Sequence, residues 1–144
     1  MSGLAALLAK RHEPGIFRWH SGFGVADVQH TVEHAGWRFV YLDGHEEETA
    51  EEFLTGIGKS FGFSDEYRHD FDSLADHLGD VVPSDREGTV LLWDSWSPFA
   101  RADEQAFSVA LSALGSRVNA DRGGPLVVLM RGEGPDVPGI GSID

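Results

Sequence analysis

Residues 63–78 read FSDEYRHDFDSLADHL. Tyr67, Phe71, Leu74, Ala75 and Leu78 recur at i, i+4, i+7, i+8 and i+11, the spacing that lines one face of an α-helix, so the segment is expected to pack a helix on the core. On the same helix Asp72, Asp76 and Asp80 follow at i, i+4 and i+8. Three carboxylates then stack in one row, where each adjacent pair repels. Acids favour a helix N-terminus, which suits Asp65 and Glu66, whereas Asp76 and Asp80 lie toward the negative C-terminal end. Stability alone does not select that placement. The row reads either as a solvated face of an acidic protein or as a surface built to meet cations.

Outward from this helix the chain alternates strand and helix patterns. Residues 15–19 read as a short strand, and Val25, Val28, Val32 and Ala35 share one helical face that Gly36 ends at C′. A strand over 37–42 and an Asp43-Gly44 turn follow. Thr49 and Glu52 have capping-box spacing, and Ala50, Phe53, Leu54 and Ile57 give the next helix its buried face. Residues 59–65 form the loop into the acidic helix. After a polar connection over 83–88, residues 89–93 read as a strand covered on both faces. Phe107, Leu111, Leu114 and Val118 mark a helix, 121–125 a turn and 126–130 a last buried strand. Such alternation predicts an α/β fold with a parallel sheet and right-handed crossovers. Glycine and proline after residue 132 predict a mobile tail.

The acidic segment resembles the inhibitory helix and preceding loop of the barstar family, small intracellular proteins that block ribonucleases of the barnase type. The family pattern runs roughly Leu-Pro-x-Tyr-Tyr-Gly-x-Asn-hydrophobic-Asp-Ala-Leu-x-Asp-x-Leu, and Phe63, Tyr67, Phe71, Asp72, Ser73, Leu74, Asp76 and Leu78 match it in kind without a gap. GWRFVYLDG (36–44), GTVLLWDSW (88–96) and PLVVLMRG (125–132) come in the family's order. The resemblance implies a barstar-like three-stranded parallel sheet packed with helices over 36–132, preceded by an extension over 1–35 and followed by a flexible tail over 133–144. It also implies a non-enzymatic inhibitor that acts in the cytoplasm as a monomer and whose partner is a basic ribonuclease. In that role Asp76 plugs the phosphate site, Asp72 faces a second cationic group, Asp80 extends the row, and Tyr67 and Glu66 lie along the rim. Four positions depart from the pattern: Arg68 for the small glycine, Asp70 for asparagine, Glu66 for the first aromatic and Ala75 for a large residue. Arg68 and Ala75 therefore alter the contact surface. The family's acid on a later helix falls near Ser112 and Ala113 and is missing. An acidic adaptor of the same fold, engaging another basic protein, is the competing reading.

Composition sets the outer bounds. At 144 residues and 41% hydrophobic the chain suits one domain that buries about two-thirds of its unfolded surface without staples. It has no cysteine, hence no disulfide framework and no thiolate zinc site. The apolar run over 4–9 is too short for a membrane span and lacks the basic flank of a secretory signal. With 24 acids against 11 Lys and Arg, the net charge of −13 opposes nucleic-acid phosphates and anionic lipids and favours a basic protein.

Other motifs carry less. His30-Thr31-Val32-Glu33-His34 matches H-x-x-E-H, in which two His bind zinc and the Glu is the base. The valines claim the buried face, which turns both His toward solvent, and no third ligand or dry cleft follows. His69 and His77 flank the aspartates without a second catalytic cluster. Gly56-x-Gly58 and Gly132-x-Gly134 lack the third glycine, the following helix or the lysine of a phosphate loop. Trp93 and Trp96 read as core aromatics rather than a base-stacking platform. No metal or cofactor is implied.

Overall fold

The computed structural model describes residues 2–81, 85–120 and 123–143. Pro83 and Ser84 of the expected connection, Asp121 and Arg122 of the expected turn, and Asp144 of the expected tail lie outside the described residues. In chain order the elements are α1 (Ser2–Leu8), β1 (Ile16–Trp19), α2 (Val25–His34), β2 (Arg38–Asp43), α3 (Ala50–Phe61), α4 (Phe71–Gly79), β3 (Thr89–Asp94), α5 (Ser97–Ala102), α6 (Glu104–Val118), β4 (Leu126–Arg131) and β5 (Gly141–Ile143).

The strands pair in the order β2-β3-β4-β1-β5, all parallel. The sheet thus has five strands rather than the three implied by the resemblance. β2, β3 and β4 are those three; β1 adds against β4 with Phe17 opposite Leu129, and β5 adds against β1 with Trp19 opposite Ile143. Burial explains the extension. β4 buries five consecutive residues, so it cannot serve as a solvent edge. A three-residue strand is too short for a period of two to register, which is why 141–143 reads only as tail.

The crossover from β1 to β2 runs across the sheet in one direction, and the steps from β2 to β3 and β4 return in the other. Right-handed connections then demand helices on opposite faces. The cores comply. Leu91, Trp93, Val128 and Met130 pack under α3, α4, α5 and α6, while Val90, Leu92, Val127 and Leu129 pack with Leu4 and Leu7 of α1 and Val28 and Val32 of α2. Trp93 and Trp96 are fully buried, with Phe53 5.0 Å from Trp93 and Phe107 5.6 Å from Trp96.

Three local devices position the acidic helix. Thr49 and Glu52 close the capping box that starts α3. Within α3, Gly58 leaves room for the Tyr67 ring, since a Cβ there would come within 2.5 Å of a ring carbon. The third is Arg117 of α6, only 4% exposed. Its Nε donates to Leu78 O at 2.9 Å and its second amino group to Val81 O at 2.9 Å, while Gly123 O and Gly124 O accept from the guanidinium at 3.1 Å each. A buried cation thus satisfies the last carbonyls of α4, the end where the helix dipole is negative and where Asp76 and Asp80 add like charge.

Two stability predictions follow from buried polar groups. Replacing Arg117 by Met removes a donor from four carbonyls, of which Leu78 O keeps a backbone partner in Val81 N, and should cost about 2–4 kcal/mol in chemical denaturation, with amide exchange accelerated in α4 more than in β3. Glu47, buried before α3 with Oε1 unpartnered, is pushed up from 4.5 to about 8 by burial and by the charges of Asp43 and Glu52. A raised carboxyl contributes its full stability below the unfolded value and loses it as pH rises through the folded one. Glu47→Gln should therefore raise the melting temperature at pH 8, by about 2–4 °C for each kcal/mol recovered. The gain should vanish below about pH 4.5.

Candidate functional site

The helix that carries the acids starts later than its periodicity suggests. Asp70 is extended, and its side chain accepts from Ser73 N at 2.7 Å, which starts α4 at Phe71. Tyr67 lies before the helix yet is 8% exposed. Its hydroxyl donates to Leu54 O at 2.7 Å. Burial, with the Asp70 charge second, pushes the phenol up to about 12. Expected along the rim, Tyr67 instead ties the loop to α3 and has no free hydroxyl to offer.

Ala75, expected on the buried face, is exposed. With α4 starting at Phe71, the buried arc centres on Leu74 and Leu78 and includes Ser73, and Ala75 falls beyond its edge beside Asp72. Ser73 turns inward because its hydroxyl accepts from Arg68 N at 3.0 Å while its carbonyl takes the Nδ1–H of His77 at 2.9 Å. The His77 ring lies 5.1 Å from Phe63 and 5.4 Å from Tyr67. The loop reverses at His69, whose φ of +59° is left-handed; Thr55 Oγ1 lies 3.0 Å from its Nδ1.

Asp72, Asp76 and Asp80 project outward and are exposed. None has an ion pair among the described residues. Together with Glu66, Asp65 and Asp70 they line an open groove of about 1050 Å³ whose far wall is Arg38, Phe61 and Val81. Arg38 reaches it from β2, donating to Phe61 O at 2.8 Å and lying 5.7 Å over the Phe61 ring. Arg68 is exposed on the same groove and also has no ion pair among the described residues. Such a surface, acidic and held by a capped and stapled helix, suits direct contact with cations. It brings Glu66, Arg68, Asp72, Asp76 and Asp80 together and leaves Ala75 outside the groove lining. Ser112 is exposed on α6 and borders a different groove, with Pro135 and Val137. Sequence reasoning missed Arg38 and Arg117, and read Ser73 only as a match to the family pattern. The Asp70-to-Ser73 spacing carries a cap signal, whereas nothing local marks Arg38 or Arg117.

Two other places fail as reaction sites. His30 and His34 are exposed on α2, which buries Val28 and Val32, and no cluster of three or more metal donors occurs among the described residues. In open parallel sheets ligands bind past the C-terminal strand ends where crossovers diverge, here between β1 and β4. The charged side chains there are engaged with one another. Arg131 grips Asp94 through two hydrogen bonds of 2.7 and 2.8 Å, Tyr41 donates to Asp94 at 3.0 Å, and Arg131 holds the carbonyls of Ser21 and Phe23. Burial and the Asp94 bond push the Tyr41 phenol well above its usual range. The loop over 20–24 contains no lysine. Among the described residues no helix is long and apolar enough to cross a membrane.

Comparison with known proteins agrees with this geometry in part. Among solved structures the chain is similar to the Aeropyrum pernix ORC2 protein, described in complexes with ADPNP and ADP, at TM-score 0.61 and 10% identity; the match covers 92% of this chain and 39% of that one. This likeness concerns fold alone. No curated protein matches the chain. The model of the family described as "Barstar (barnase inhibitor)" matches residues 37–131, well over half of the sequence and including β2, β3, β4 and the whole acidic groove; the chain belongs to the barstar family.

Proposed function

We propose that the chain inhibits a basic ribonuclease of the barnase type by offering the carboxylates of α4 where substrate phosphates would bind. The observation that carries this reading is the row Asp72, Asp76 and Asp80, exposed without ion pairs among the described residues, in which neighbouring carboxylates repel and the last two lie toward the negative end of the helix. A ribonuclease site lined with Arg, Lys and His recognises anions through charge-assisted hydrogen bonds, and carboxylates satisfy the same donors. Asp76 is assigned the phosphate site, Asp72 a second cationic group, and Glu66 and Asp80 the flanks. The chain performs no chemistry in this role. It acts in the cytoplasm, as an immunity protein does beside its toxin.

A second reading, an acidic adaptor for another basic protein, draws on particular departures. Arg68 places an unpaired cation in the acidic groove, Ala75 offers no bulk beside the row, and the Tyr67 hydroxyl is already used. An unmatched charge at an interface rejects partners that do not answer it.

Binding and stability measured on Asp76→Ala separate the readings. Titration calorimetry against a barnase-type ribonuclease should show a loss of about 3 kcal/mol or more, because truncation leaves the nuclease's buried cations unpaired. Thermal melts should show no loss, or a gain of up to about 0.5 kcal/mol. A variant that binds as wild type, or a wild type with no affinity, favours the adaptor. With net charge −13, association should exceed the ~10⁶ M⁻¹s⁻¹ of neutral pairs and fall steeply with salt while dissociation changes little. Stopped-flow mixing from low to physiological salt checks this.

A further inference from the structure

We propose that His30 and His34 form a two-imidazole chelate for a late first-row divalent cation, with Cu(II) and Ni(II) preferred. The pair lies one turn apart on α2, and the rings stand side by side, 5.9 Å between centroids and inclined by 19°. Both residues are exposed, and the buried face of α2 belongs to Val28 and Val32. The rings therefore support no core packing. Three other imidazoles are engaged: His12, His69 and His77 each place Nδ1 within hydrogen-bonding distance of an oxygen. His30 and His34 have no such bond and no ion pair among the described residues. Their nitrogens are free to bind, and i, i+4 spacing lets both reach one ion.

The surroundings favour a cation. Glu33, between the two, takes a hydrogen bond from Gln29 at 3.4 Å, Asp27 lies one turn before His30, and the whole chain is at −13. Imidazole selects Cu, Ni and Zn, whereas Mg and Ca seek oxygen; the general affinity order puts Cu(II) first and Ni(II) next below it among tetragonal N,O sites. Two protein donors leave the remaining positions to water, so the site is open rather than a closed structural one. Only the neutral ring binds, so protons compete.

The test is calorimetry on the full chain, free of any affinity tag, with Cu(II) and separately Ni(II) in a non-coordinating buffer. One ion should bind per chain. His30→Ala or His34→Ala should each weaken binding by more than about tenfold, since losing a ligand costs at least what losing an outer-shell partner does. The double variant should abolish it. Excess Mg(II) should not compete. The Cu(II) electron paramagnetic spectrum should report two nitrogen donors. Absence of binding, undiminished binding in the double variant, competition by Mg(II) or an oxygen-only spectrum would each overturn the site. Because the rings are exposed and unbonded, thermal melts of the variants should match wild type, which makes a loss of binding a loss of ligand.

Discussion

The acidic helix ends on a buried cation, and the rest of the site depends on it. Arg117 gathers the carbonyls of Leu78 and Val81 from the end of α4 and those of Gly123 and Gly124 from the approach to β4. Without it the carbonyl of Val81 just past the helix would lose its donor, and the helix would finish with a negative dipole end and two carboxylates in its last turns unanswered. A guanidinium placed beneath answers all three through one side chain. The outer face is then free to carry charge that serves contact rather than stability. The N-terminal end is arranged in the complementary way, with Asp70 capping Ser73 and Ser73 holding the Arg68 backbone.

Much of this was legible. The continuous apolar runs of β3 and β4, the Thr49–Glu52 box and the valines of α2 follow directly from period and spacing, because in each the signal lies within one element. The family motif located the acidic row. What escaped lies between elements. Tyr67 fits the helical period by coincidence of spacing, yet it is buried from a loop, in space left by Gly58 of another helix. Arg38 stands 34 residues before Asp72 in the chain and meets the groove only because β2 runs beside Phe61. Arg117 reads as an ordinary basic residue near a helix end, and its burial is decided by α4, to which its own helix gives no clue. Of the two added strands, β1 was read at 15–19 without its place in the sheet, and β5 was hidden because three residues carry too little pattern.

The likeness to a protein solved with bound nucleotides concerns the course of the chain alone. At the crevice where the crossovers diverge the side chains serve one another. Asp94 has both carboxylate oxygens engaged by Arg131 and one by Tyr41, and Arg131 also fastens the loop after β1. A part-buried pair of this kind is costly to open, because either charge left alone is desolvated without a partner. The same layout of strands can thus carry different side-chain networks at the strand ends, and the chemistry there is set by a few residues.

The position of β1 has a consequence in time. It is the first of the five sheet strands to leave the ribosome, yet its neighbours in the sheet are β4 and β5, the last two of the five. Trp19 can meet Ile143 only after the residues between them have been made. Contacts so distant in sequence form slowly and expose apolar surface while they wait. The acidic groove, drawn from β2, α3 and α4, belongs to an earlier stretch of the message. Its parts emerge well before the sheet beneath them can close, so the nascent chain holds its most charged surface ready while its first strand is still waiting for a place.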